Sequence, residues 1–310
     1  MAILKLKPAC KDYVWGGRRL IDEFGFETDK DSAAEAWVLS THRDGASTVD
    51  GSGETLADYI KRNGKKILGT NCQNLRDFPL LIKLIDAHDN LSVQVHPNDE
   101  YALVNEGQRG KSEMWYVLDS DEGAVLYCGF KKEISRDEFV ARIKDNTLIE
   151  VLNVVPAKRG EIIFIPAGTI HALGKGVMLA EIQENSNVTY RIFDYGRDRP
   201  LHIAKALDVT NLSPIADCGE CYPHIAVSDY FVVDKLDLDG EILSEADGTV
   251  DEKTFLSVLI LGGEGTITCG GEALTYRKGD SFFLTAGSGD WKIRGTCDAL
   301  LTTVPDGKNS

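Results

Sequence analysis

One short pattern occurs twice in this chain and limits what it can fold into. Gly160-Glu161, an apolar run, then Pro166-Ala167-Gly168 returns as Gly279-Asp280, Ser281-Phe282-Phe283-Leu284 and Thr285-Ala286-Gly287. A strand entered and left through the same turns in two places predicts two related β units. Short apolar or alternating runs at 80–85, 91–95, 114–118 and 162–165, each bounded by Gly, Pro, Asn or Asp, indicate many short strands and hence a barrel or sandwich. In the first copy His171 follows Gly168 by three residues, and in the second copy Asp290 stands there, so chemistry is expected in the first barrel alone.

Helices are few. Thr55 precedes Leu56, Tyr59 and Ile60, with Gly64 at the expected C-terminal end. Ser135 with Glu138 and Thr147 with Glu150 read as capping boxes, marking a small helical insert near 132–154. The stretch 211–223 loses periodicity and gathers turn formers, which places a junction between a unit at 1–215 and a second at 216–310.

With 310 residues and 43% hydrophobic composition, the chain has material for one or two ordinary cores. The N-terminal residues contain no apolar stretch of signal-peptide length, and no run approaches the roughly 20 apolar residues of a membrane span. Seven scattered cysteines suit a reducing compartment, and a cytoplasmic protein is expected. A formal net charge of -15 argues against nucleic acid or an anionic membrane as partner, so an anionic substrate would need a local basic pocket.

Strand alternation through 90–96 puts Leu91, Val93 and Val95 on one face and Ser92, Gln94 and His96 on the other. Taken alone, the polar stripe reads as a solvent side. Lys111 and Glu113 share a direction at the start of another strand, where a surface ion pair is the simpler explanation. His171 stands just past a strand end. Together Gln94, His96, Glu113 and His171 offer one amide, one carboxylate and two imidazoles, a set suited to a borderline divalent ion such as zinc with a position left for water or substrate. Gln94 is the weakest donor of the four. A rival thiol site, Cys218-x-x-Cys221 near His224, lacks a fourth partner and reads as a loop.

The spacing Gly160, five residues, Pro166, one residue, Gly168, two residues, His171 matches the second cupin motif, and Gln94-Val-His96-Pro97-Asn98 resembles the first metal segment of mannose-6-phosphate isomerases. Further similarities are Tyr13-Val-Trp15-Gly16-Gly17, Ala34-Glu35-Ala36-Trp37, Lys111-Ser112-Glu113-Met114-Trp115 and the segment from Gln183 to Arg191. They cover most of residues 1–210 and indicate the short bacterial type I form. The resemblance implies a mainly β fold of two cupin-type (jelly-roll) barrels, the second degenerate. It also implies one zinc per chain held by Gln94, His96, Glu113 and His171, and a sugar phosphate as the small-molecule partner.

By the same resemblance Arg191 and Lys111 are the active-site cations, and Ser92 and Lys83 contact substrate. Alternation places Thr189, Arg191 and Phe193 on one face, although Asp194 or Asp198 would also satisfy the arginine. Lys83 is a charge inside an apolar run and requires an anionic partner, either phosphate or a carboxylate such as Asp86 or Asp89. Asn187 stands where family members often carry aspartate, which leaves the general acid and base unassigned.

The implied reaction interconverts mannose 6-phosphate and fructose 6-phosphate by moving a proton between neighbouring carbons through an enediolate. Lys111 can act as base only if desolvation or nearby positive charge favours its neutral amine. Two other readings share the fold. One is an iron-dependent cupin dioxygenase, because two histidines and a carboxylate also make a facial triad. The other is a non-catalytic sugar-binding cupin.

Overall fold

A computed structural model describes residues 2–215 and 221–306. The first β unit consists of two antiparallel sheets laid face to face. One has six strands in the order Ile162–Ile165, Glu113–Ser120, Val177–Glu184, Leu80–Ala87, Glu35–Leu39 and Ala9–Lys11. The other has five, in the order Tyr190–Phe193, Val93–Val95, His171–Leu173, Val125–Phe130 and Leu152–Pro156.

The strand Val177–Glu184 is buried on both faces and so reads as a nearly continuous apolar run. Its alternation still sorts the side chains. Met178, Ala180 and Ile182 pack outward with Phe283 and Leu300 of the second unit. Val177 and Leu179 turn inward with Trp115, Leu126 and Leu173. Glu181 shares that inner face, at the cavity described below.

The second unit carries a nine-stranded sheet. Its main path runs Ala226–Val227, Val232–Leu238, Gly289–Thr303, Leu256–Cys269, Ser281–Leu284, Ile3–Lys7 and Thr48–Val49, with Glu245–Val250 and Glu272–Arg277 paired alongside. Two of these strands lie far away in sequence. Leu4 faces Phe283 and Leu6 faces both Ser281 and Val49. We propose a barrel boundary near residue 215, crossed by those two N-terminal strands.

The repeat is a repeat of backbone. Gly160 and Gly279 have φ of 85° and 92°, and Gly168 and Gly287 have 87° and 74°. Side chains with a Cβ rarely adopt such angles, which accounts for glycine at the four places.

Local signals hold in part. Thr55 caps the helix Leu56–Asn63 by accepting from the Asp58 amide, and Gly64 ends it with φ of 80°. Ser135 Oγ likewise accepts from the Glu138 amide at 3.1 Å, while the Glu138 carboxylate pairs forward with Arg142 instead of closing a box. Thr147 makes no cap hydrogen bond, and Leu148–Val151 forms a 3-10 turn, so the second expected capping box is corrected. Among the described residues no helix is long and apolar enough to cross a membrane.

Candidate metal centre and its cavity

The first barrel encloses a cavity of about 240 Å³ between its two sheets, and polar residues converge on one side of it. The stripe expected to meet solvent is largely buried: Ser92 is 3% exposed and His96 1%. Apolar residues Val93 and Val95 point outward into a separate core, which leaves the polar face of the strand to line the interior.

Three donors meet there. Nε2 of His96 lies 3.5 Å from Glu113 Oε2, and Nε2 of His171 lies 3.4 Å from Glu113 Oε1. Their ligating atoms all fall within 4.8 Å of one another, a group that can hold a metal ion. Nδ1 of His96 donates to the Val188 carbonyl at 2.8 Å, and Nδ1 of His171 donates to the Thr169 carbonyl at 2.9 Å. A carbonyl only accepts, so each ring keeps its proton on Nδ1 and turns the Nε2 lone pair toward Glu113. Backbone carbonyls therefore fix both tautomer and aim.

Burial, then the Lys111 charge, holds the His96 imidazolium well below its ordinary value, and burial brings His171 down to about 4. Both rings are neutral at pH 7, the form that ligates. Glu113 and Glu181 are coupled across the same space. Burial and the Glu181 charge push Glu113 up, whereas for Glu181 the burial is outweighed by Lys111 and Lys83, which draw it down. Glu113 Oε1 is fully buried and has no hydrogen-bond partner among the described residues. With the orphaned Oε1 beside the His171 lone pair and Oε2 beside that of His96, the cluster is a donor set that fits a divalent cation.

Gln94 stands beside this group, its amide nitrogen 3.3 Å from His171 Nε2 and its Oε1 accepting from Ser92 Oγ at 3.2 Å. Lys111 Nζ donates to Glu113 Oε2 and lies 3.2 Å from His96 Nε2. The pair that resembled a surface ion pair is instead buried, with Lys111 3% and Glu113 0% exposed.

Lys83 lines the same cavity, and its anionic partners differ from the carboxylates suggested by proximity in sequence. Nζ lies 3.1 Å from Glu181 and 3.4 Å from Glu35. Burial alone would lower its ammonium, but Glu181 and Glu35 more than reverse that and keep it charged. Asp86 is taken by Arg19 at 2.7 Å and Asp89 by Arg197 at 3.0 Å. Strand pairing explains the exchange, because Lys83 lies opposite both Glu181 and Trp37.

Arg191 reaches the cavity with Thr189. Its Nη1 donates to the Pro200 carbonyl at 3.0 Å, and its buried Nε has no hydrogen-bond partner among the described residues. Asp194 is engaged by Arg199 at 2.6 Å and Arg197 at 3.4 Å, so among the described residues Arg191 has no carboxylate partner. All the expected site residues except His96 and Glu113 line the cavity itself, and those two sit at its edge through His171 and Lys111.

Sequence reasoning gave no role to Glu35, Glu181 or Arg199, which also line it. Glu181 carried the signal that singled out Lys83, a charge within an apolar run. In the rival thiol site, Cys218 lies outside the described residues, and His224 is occupied by Asp234 at 2.6 Å.

A barrel of this topology with a buried two-imidazole, one-carboxylate cluster at a cation-rich cavity defines a metal-site cupin. Residues 3–131 match the family profile for the catalytic domain of type I phosphomannose isomerase, and residues 223–304 match that for the mannose-6-phosphate isomerase cupin domain. Mannose-6-phosphate isomerase of Streptococcus mutans is 34% identical over 306 residues, covering 93% of this chain and 94% of that one. The crystal structure of mannose 6-phosphate isomerase from Bacillus subtilis superposes with a TM-score of 0.87 at 33% identity, over 97% of this chain and 99% of that chain. A mannose 6-phosphate isomerase bound with zinc and yttrium shares the fold, with a TM-score of 0.77 at 18% identity over 97% and 99% of the two chains. The chain belongs to the type I phosphomannose isomerases and is a metal-dependent isomerase.

Proposed function

We propose that the protein interconverts mannose 6-phosphate and fructose 6-phosphate with one zinc ion held by His96, Glu113, His171 and Gln94. The reading rests on one observation: two imidazole lone pairs and an orphaned carboxylate oxygen converge at a cavity walled by Lys83, Lys111, Arg191 and Arg199. Gln94 joins the set by turning its amide so that Oε1, now accepting from Ser92, faces His171. Zinc is favoured by the mixture of imidazole and oxygen donors and by the zinc-bound relative of the same fold.

Isomerisation moves a proton between the first two sugar carbons and builds negative charge on their oxygens. A bound divalent ion supplies Lewis-acid stabilisation of that charge. Arg191, free of any carboxylate, offers donors to the same oxygens, and its guanidinium is already oriented by the Pro200 carbonyl. Lys111, whose amine lies beside Glu113 and His96 and faces the cavity, is assigned the proton exchange, with the bound ion supplying the positive charge that would favour its neutral form. Ser92 and Lys83 are assigned to substrate contact. Burial of Ser92, Lys83 and Lys111 in the cavity wall strengthens each of these interactions.

The test is isomerisation of mannose 6-phosphate before chelation, after chelation and after zinc is restored, with fructose 6-phosphate measured as product. Activity is expected to vanish and return. Oxygen uptake with iron, or binding without turnover under every metal, would refute the assignment.

A further inference from the structure

A second cavity, of about 700 Å³, has a different character. Five cations, Arg43, Lys61, Lys65, Arg76 and Arg109, surround it, and Asp77 is the one carboxylate among the described residues that line it. This is an unusual concentration on a chain with 34 basic and 49 acidic side chains. Among the described residues none of the five has a carboxylate closer than 3.7 Å, although Lys65 donates to the Leu75 carbonyl at 2.6 Å. Arg43, Arg76 and Arg109 stand 3.9, 3.8 and 3.7 Å from single carboxylates, and Lys61 makes no ion pair among the described residues.

Beneath the charges the floor is apolar, built by Ile60, Leu68, Leu75 and Phe78. A sugar ring, with hydroxyls around its rim and only small C–H faces, gains less from such a floor than a flat carbon body does. A flat carbon body with a multiply charged head gains from both parts, through burial of apolar area and through charge-assisted hydrogen bonds. Cavities of a few hundred to about 1,000 Å³ are of the size that takes such ligands.

A chain of hydrogen bonds links this cavity to the catalytic one. His42 Nε2 lies 3.3 Å from Gln108 Oε1 on the basic side, while its Nδ1 accepts from the Asp44 amide at 3.2 Å. Asp44 Oδ2 in turn accepts from Asn187 Nδ2 at 3.2 Å, and Asn187 lines the catalytic cavity. Asn185, two residues earlier, faces the basic side and donates to Thr41 Oγ1 and to the Phe78 carbonyl, each at 3.0 Å.

We propose that this basic, apolar-floored cavity binds an organic phosphate with a flat apolar body, of nucleotide type, and that its occupancy changes substrate affinity through the hydrogen-bonded residues Thr41, His42, Asp44, Asn185 and Asn187. The probe is ADP without magnesium, added to the full-length metal-loaded protein and followed by calorimetry with and without saturating mannose 6-phosphate. Binding should persist in the presence of the sugar phosphate. It should weaken at least about tenfold in a Lys61→Glu, Arg76→Glu double variant, whose two exposed side chains can be exchanged without disturbing the core. ADP should also shift KM for mannose 6-phosphate at least about twofold in the natural chain and not in the double variant.

Absence of binding at millimolar ADP, or binding that mannose 6-phosphate displaces and the double variant retains, would overturn the site. Binding with an unchanged KM would overturn the coupling. The calorimetric measurement needs no turnover, so its failure is distinct from failure of the isomerase reading.

Discussion

The two barrels put different residues on the same backbone positions. In the first, Ile165, three residues before Gly168, faces Glu113; in the second, Leu284, three before Gly287, faces Leu256. Two residues further along those strands, Trp115 faces Glu181 and Val258 faces Leu301. His171 faces Gln94 where Asp290 faces Thr249. Register thus maps the buried acids Glu113 and Glu181 onto the buried leucines Leu256 and Leu301. The interior of the second barrel closes over Val258, Ile260, Phe282, Leu284 and Ile293. Barrel shape comes from turn glycines and strand pairing, and it is indifferent to whether the interior is charged or apolar. A charged interior must find partners for every group: among the described residues the first barrel leaves the carboxylate oxygens Glu113 Oε1 and Glu184 Oε2 without a hydrogen-bond partner, whereas the second leaves the hydroxyls of Ser257, Ser281 and Thr302.

The sharpest way to break this contrast is to remove a donor from each barrel. His96→Ala should abolish metal retention and lower kcat by about a thousandfold or more. Asp251→Ala, two residues beyond Thr249 as His96 is two beyond Gln94, should leave metal content unchanged and kcat within about twofold. Metal analysis beside turnover decides between them, and equal losses would erase the distinction.

Phe282→Ala asks whether the second barrel contributes chiefly stability. The side chain is fully buried, and its removal should cost about 3–5 kcal/mol in urea unfolding. Activity per folded molecule should persist below the melting range. Loss of kcat in a protein that is still folded would assign the second barrel a share in the chemistry.

Glu184 tests the cost of charge in the first barrel. Its Oε1 accepts from the Ser112 amide at 2.8 Å, while among the described residues Oε2 is buried with no cation beside it and with Asp99 nearby. Burial, with the Asp99 charge, pushes its carboxyl from 4.5 up to about 8. Folded and unfolded chains are both protonated there below about pH 4.5, and only the unfolded chain ionises between 4.5 and 8. Its contribution to stability is therefore complete at low pH, is lost as pH rises to about 8, and is level beyond. Glu184→Gln should remove that fall and gain on the order of a few kcal/mol at pH 8. Melting temperatures between pH 5 and 8 would show it, and parallel curves for the two proteins would contradict the assignment. Asp290→Ala gives the smallest effect, about 0.5 kcal/mol from the exposed hydrogen bond with Thr249.

Much of this contrast is legible in the sequence, for identifiable reasons. The donors Gln94, His96, Glu113 and His171 sit beside turn residues whose spacing is local, and the exchange of His171 for Asp290 is visible by aligning the repeat. Partners across a sheet are another matter. Nothing near Lys83 in sequence points to Glu181 or Glu35, which reach it only through strand pairing. Nearness in sequence instead suggested Asp86, which the structure gives to Arg19. The Thr147 signal failed because a cap needs a helix to follow, and only one 3-10 turn forms. The strand Ile3–Lys7 carries no mark of its distant partners.

That strand has a consequence for how the protein is made. Leu6 and Ser281 lie side by side in the finished sheet, yet translation at about 5–20 residues per second separates them by on the order of tens of seconds. Throughout that interval the apolar side chains of Ile3, Leu4 and Leu6 have no sheet to join beyond Thr48–Val49. Until the second barrel emerges, the segment offers an apolar, unpaired edge to other chains, which is the hazard that edge strands carry during synthesis.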